Sequence, residues 1–91
     1  MPWPNGSWPA FWMMPQKGPH GDWPDSGEID ILEYLGWDND FAHSDAHTKD
    51  HNFLQGYNYG WSDWIENQEN RYRTYGIEWW YNRIDFCIDG V

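Results

Sequence analysis

At 91 residues the chain has room for one small domain at most. Nine Trp, six Tyr and four Phe make 21% of it aromatic, more rings than so small a core can hide, so some must line an exposed groove or patch. A formal net charge of −10 argues against nucleic acid and against an anionic membrane surface, and leaves neutral carbohydrate, whose C–H faces suit indole and phenol rings. No apolar run approaches the roughly 20 residues that span a bilayer.

In chain order, the N-terminal Met1-Pro2-Trp3-Pro4-Asn5-Gly6 has no basic segment leading into an apolar run, so no signal peptide is visible. Short aromatic and β-branched runs separated by Gly, Pro, Asn and Asp clusters then predict an all-β chain. Strands are expected near Ser7–Met14, Gly27–Tyr34, Ala42–Lys49, Arg71–Trp80 and Arg83–Ile88. Loops are expected at Pro15–Ser26, Leu35–Phe41 and Asp50–Asn70. The last of these carries Tyr57, Tyr59, Trp61 and Trp64, enough to hold a further strand or a substrate-facing flap. Tyr75, Ile77 and Trp79 alternate as core residues, and Arg71, Arg73 and Arg83 read as isolated, solvated charges. Ile84, Phe86 and Ile88 form one buried face of a strand that runs into Asp89-Gly90, a strong hairpin-turn signal one residue before the chain stops. Both ends therefore read as cut, and residues 1–91 as part of a longer protein. Cys87 is the lone cysteine, which leaves no internal disulfide or cysteine zinc site.

The informative stretch is Gly27-Glu28-Ile29-Asp30-Ile31-Leu32-Glu33. A strand this rich in Ile and Leu has no structural use for three carboxylates. In a regular pleat Glu28 and Asp30 share a face and Glu33 points to the other. One extra residue in a β-bulge restores the parity and brings all three together. Two glutamates leaning inward across such a strand can reach the ~5–5.5 Å separation of retaining glycosidases. Glu28 then serves as nucleophile, and the charges of Glu28 and Asp30 raise the pKa of Glu33, so that it acts as the general acid. The competing reading, a calcium or other hard-cation site, is less favoured in this aromatic context. His43, His47 and His51 recur every four residues, but the surrounding residues are poor helix formers and no cysteine supports a zinc site. On a strand, His43, Asp45 and His47 would share a face.

Glu28-Ile29-Asp30-Ile31-Leu32-Glu33 resembles the bulged catalytic signature of glycoside hydrolase family 16, as found in laminarinases, agarases and carrageenases. Trp8-Pro9-Ala10-Phe11-Trp12-Met13-Met14-Pro15, Trp23-Pro24-Asp25-Ser26-Gly27, Tyr75-Gly76-Ile77-Glu78-Trp79 and Ile84-Asp85-Phe86-Cys87-Ile88-Asp89-Gly90 are similar to the family's blocks in the same order. The resemblance implies a β-jelly-roll sandwich of the concanavalin A type, with residues 1–91 as the central part of one catalytic domain and strands missing on both sides. It implies a retaining, endo-acting hydrolase with Glu28 as nucleophile, Asp30 as helper and Glu33 as acid/base. Trp23 would stack beside the cleaved bond, Trp12 and Trp8 would line the same non-reducing side, and His47 would lie near the carboxylates. No cofactor is implied for catalysis, although a structural calcium is expected in the full-length domain. The enzyme is expected to be extracellular or periplasmic and monomeric. β-1,3-glucan of the laminarin type is the first substrate expected; a galactan hydrolase or a non-catalytic carbohydrate-binding sandwich are the alternatives.

Overall fold

The computed structural model describes residues 4–16, 19–38, 40–56, 59–66 and 68–91. Strands β1 (Ala10–Met13), β2 (Glu28–Glu33), β3 (Phe41–His47) and β4 (Tyr59–Trp64) form one antiparallel sheet in chain order, and β5 (Tyr75–Trp80) pairs with β6 (Arg83–Ile88) in a second. The second sheet lies under the first: β2 contacts β5, and the space between the layers is lined by Met13, Ile29, Ile31, Ala42 and Ala46 from above and by Trp79, Ile84, Phe86 and Ile88 from below. This is an all-β, two-layer arrangement, part of a jelly-roll sandwich.

The first strand is shorter than the expected Ser7–Met14. Ser7 and Pro9 still run beside β2's continuation, accepting from Gly36 N and Tyr34 N at 3.0 Å each, but Pro9 has no amide with which to return a bond and the regular ladder begins at Ala10. Close approach here requires Gly36, where a Cβ would strike the Pro4 carbonyl and the Ser7 hydroxyl. β3 takes in Phe41, expected in the loop, and ends at His47 rather than Lys49, because the Thr48 amide turns to donate to His51 O. β5 starts at Tyr75, not Arg71; Thr74 N is taken by the Asp89 carboxylate at 2.9 Å. The long stretch Asp50–Asn70 contains the further strand, β4, flanked by 3₁₀ turns at Phe53–Gln55 and Gln68–Asn70; Tyr57 falls outside the described residues.

The two layers are joined by buried polar groups. Gln68, with no exposed surface, donates to Phe41 O on β3 at 3.0 Å and accepts from the Tyr75 hydroxyl on β5 at 3.4 Å. Arg73 is not a solvated charge: it pairs with Asp89 at 2.8 Å and donates to Glu66 O at 2.8 Å. Arg83 is exposed, as expected of a solvated charge, while it pairs with Asp85 at 3.2 Å and lies over the Trp80 ring. Trp79, expected in the core, is 67% exposed, whereas Tyr75 and Ile77 are half-buried. Asp89 (φ 54) and Gly90 (φ 82) both take the left-handed backbone that a two-residue hairpin turn demands, and Val91 N closes it on Ile88 O at 3.1 Å.

Candidate active site

Everything at the site follows from one irregular step in β2. Against β3, Glu28 faces His47, Asp30 faces Asp45 and Glu33 faces His43, so three residues of β2 span two of β3. Against β1, Phe11 faces Leu32 while Trp12 faces Asp30, again one residue too many on β2. The bulge lies at Ile31–Leu32, and both side chains are buried, 6% exposed each. Ser44 Oγ donates to Ile31 O at 2.9 Å, occupying a carbonyl the ladder leaves unpaired. Glu28, Asp30 and Glu33 thus share one face, as the sequence pattern requires.

These carboxylates floor two adjoining basins. One, toward β1, is lined by Trp8, Ala10 and Trp12. The other, about 320 Å³ and toward β3, is lined by Trp8, Trp23, Asp45, His47 and Phe53. The expected ring residues therefore divide: Trp12 serves the first basin, Trp23 the second, and Trp8 borders both. Trp8 Nε1 donates to Glu33 Oε1 at 3.1 Å. Gly27, with φ 89, supplies a left-handed kink just before Glu28 and closes the turn through Gly27 N to Pro24 O at 3.0 Å, which sets Trp23 beside His47 with ring centroids 5.8 Å apart.

Asp30 is the buried carboxyl, 3% exposed, with His47 Nε2 3.2 Å from its Oδ2. Burial foremost, then its hydrogen bond to Glu28, then the charges of Glu33, Glu28 and Asp45, push its pKa up to about 8. The pKa of Asp30 rises because it sits deeper than its neighbours on the strand and between like charges. The hydrogen bond with the Glu28 carboxylate favours the protonated form of Asp30. Asp45 was legible only as a neighbour of the histidines on one strand face; its direct pairing with Asp30 makes it a fourth carboxylate of the site.

The three histidines have three different partners: His47 meets Asp30, His43 Nε2 lies 3.1 Å from Asp38 Oδ2, and His51 stacks on Tyr59 at 4.4 Å. A shared zinc site does not form. Among the described residues, the side-chain groups close enough to converge on a cation are Glu28, Asp30 and His47, and Asp30, Glu33 and Asp45, each set with atoms within 4.8 Å of one another. Both belong to this trough, so the described residues provide no separate carboxylate cluster for a structural calcium.

The chain matches the family model of glycosyl hydrolases family 16 over residues 2–91. It is 39% identical over 87 residues to a β-glucanase of Rhodothermus marinus, covering 93% of this chain and 30% of that protein. It is 31% identical over 100 residues to a β-1,3-glucan-binding protein of Penaeus monodon, covering 100% of this chain and 27% of that one. The X-ray structure of the laminarinase from Rhodothermus marinus superimposes with a TM-score of 0.87 at 38% identity, over 96% of this chain and 36% of that one. The chain thus spans about a third of the length of these relatives. With the bulged carboxylate strand and the ordered aromatic blocks, these matches show that the chain belongs to glycosyl hydrolases family 16.

Proposed function

We propose that residues 1–91 are the central part of a single catalytic domain, a secreted retaining endo-β-glycosidase that cuts internal β-1,3-glucan linkages by double displacement. The observation that carries this reading is the convergence of Glu28, Asp30 and Glu33 on one face of β2, under rings contributed by Trp8, Trp12 and Trp23. In the first step a Glu28 oxygen attacks the anomeric carbon as the bond to the leaving sugar breaks, and Glu33 passes its proton to the departing oxygen. Trp8 engages Oε1 of Glu33, which leaves Oε2 to face the glycosidic oxygen. In the second step Glu33 takes a proton from water, whose oxygen displaces Glu28 and restores the sugar with retained configuration. Neutral Asp30 steadies Glu28 by its hydrogen bond and is itself held by His47.

The substrate assignment leans on the relatives' names, beta-glucanase and laminarinase, which concern those proteins. The alternative of a binding-only sandwich is favoured by the name of one relative, a glucan-binding protein, but a site that merely binds has no need to hold four carboxylates together. The test is release of reducing ends by the complete enzyme from laminarin, mixed-linkage glucan, agarose and carrageenan. Laminarin should be cut, and Glu28→Ser should lower turnover by on the order of 10⁴-fold or more while binding persists. Cleavage of agarose or carrageenan alone would shift the assignment to a galactan hydrolase. Binding to laminarin without cleavage of any substrate would favour the lectin-like reading.

A further inference from the structure

Of the rings on the β3 side of the trough, Trp23 stood out in the sequence and Phe53 did not. Phe53 is 74% exposed, yet it lines the same basin as Trp23, Glu28 and Glu33. An exposed ring on a surface turn is ordinarily unremarkable, and its neighbour Leu54, 71% exposed, lines none of that basin. What sets Phe53 apart is the rigidity of its mounting. Asn52 is 1% exposed and spends its whole side chain on the turn: Nδ2 donates to Thr48 O at 2.9 Å and to Lys49 O at 3.0 Å, and Oδ1 accepts from Gln55 N at 3.1 Å. Gly56, at φ 82, then closes the turn by donating to Phe53 O at 3.1 Å. Upstream, Thr48 N donates to His51 O at 2.6 Å and His51 N to Thr48 Oγ1 at 3.1 Å. The His51 ring stacks on Tyr59 and ties the turn to the first residue of β4. A turn fixed by so many short bonds holds the Phe53 backbone in one place at the edge of the basin, which lowers the cost of ordering a stacking platform there.

The placement is also directional. Trp12 lines only the basin toward β1, Trp23 and Phe53 only the basin toward β3, Trp8 borders both, and the carboxylates floor the two. A polysaccharide crossing the strands therefore puts sugars on both sides of the bond to be cut. We infer that Phe53 is the platform for the sugar on the leaving-group side, stacking its C–H face at the end of the trough opposite Trp12. This rests on the hydrolase reading above and deepens it: the substrate must extend past the cleaved bond to use the whole site.

The complete enzyme distinguishes the two claims when assayed on laminarin and on an aryl β-laminaribioside, which keeps the non-reducing sugars but offers a phenol as leaving group. Phe53→Ala should lower kcat/KM on laminarin about tenfold more than on the aryl glycoside, chiefly through KM. It should also lower transfer of the glycosyl group to added laminaribiose, relative to hydrolysis, by a similar factor. Phe53→Tyr should restore both ratios, and Leu54→Ala should leave both at the parent value. Equal losses on the two substrates, or none on either, would overturn the platform while leaving the hydrolase reading intact. Parent enzyme inactive on both substrates would remove the hydrolase reading and the platform with it.

Discussion

Asp30 shows how much a single residue's setting adds to its identity. Its membership of the carboxylate set was legible, because Ile and Leu on either side mark a strand that would otherwise exclude charge. Its depth was not, because that depends on β3 supplying Asp45 and His47 directly across from it and its neighbour. A buried carboxyl flanked by Glu28, Glu33 and Asp45 is pushed toward its protonated form, a rise the sequence alone did not assign to Asp30. If Asp30 works as a neutral donor to Glu28, an asparagine is nearly its equal: the amide N–H₂ donates to Glu28 and the amide oxygen faces His47. Asp30→Asn in the complete enzyme should therefore retain kcat/KM to within about tenfold, while Asp30→Ala, which removes both bonds, should lose on the order of 10²-fold or more. Equal losses in the two variants would mean that the anion matters rather than the hydrogen bond.

At the scale of the strand, the bulge was predictable by parity alone, since five regular steps from Glu28 to Glu33 put them on opposite faces and four put them together. The same parity makes a test. Removing Ile31 leaves four regular steps, and both ladders then come into register: two residues against two between Asp30–Glu33 and Asp45–His43, and one against one opposite Phe11–Trp12. The deletion costs a buried side chain, about 2–5 kcal/mol of stability by analogy with large-to-small core changes, but keeps the glutamates on one face. Inserting one alanine after Asp30 while the bulge still absorbs one residue leaves five alternating steps, an odd number, which sends Glu33 toward the space above β5. Activity measured on laminarin should survive the deletion in part and fall by at least about 10²-fold on the insertion. Activity lost in the deletion and kept in the insertion would sink the parity argument. β4 was harder to foresee, because Tyr59–Trp64 contains Gly, Ser and Asp and is exposed throughout; it is a strand because β3 offers it six consecutive partners far away in sequence.

The molecule as a whole combines a thin core with a large charge. Of the apolar side chains described, Ile31, Leu32, Tyr34 and Ala42 are buried, while Trp37, Trp61, Trp64, Trp79 and Trp80 are each more than half exposed. Length and aromatic content made that surplus of rings legible; which rings would be left uncovered was not, because it depends on how the layers meet. Few buried contacts and 15 acidic residues against five basic ones leave the isolated 91-residue chain weakly held. Its stability should also depend on pH in a definite sense. Asp30 binds its proton more tightly when folded, so its contribution is complete below its unfolded value of 3.8 and is lost as pH rises toward 8. Asp89 is lowered, by its bond from Thr74 N and then by Arg73, so its contribution is present above 3.8 and lost only as pH falls through the folded value. Between these limits acidification also relieves the repulsion among carboxylates. The isolated chain should therefore show a shallow thermal transition by near-ultraviolet circular dichroism at pH 8, bind a hydrophobic dye there, and become more stable and less dye-binding by about pH 5. A sharp, pH-independent melt would mean that the exposed rings and the carboxylate trough impose no strain on the fold.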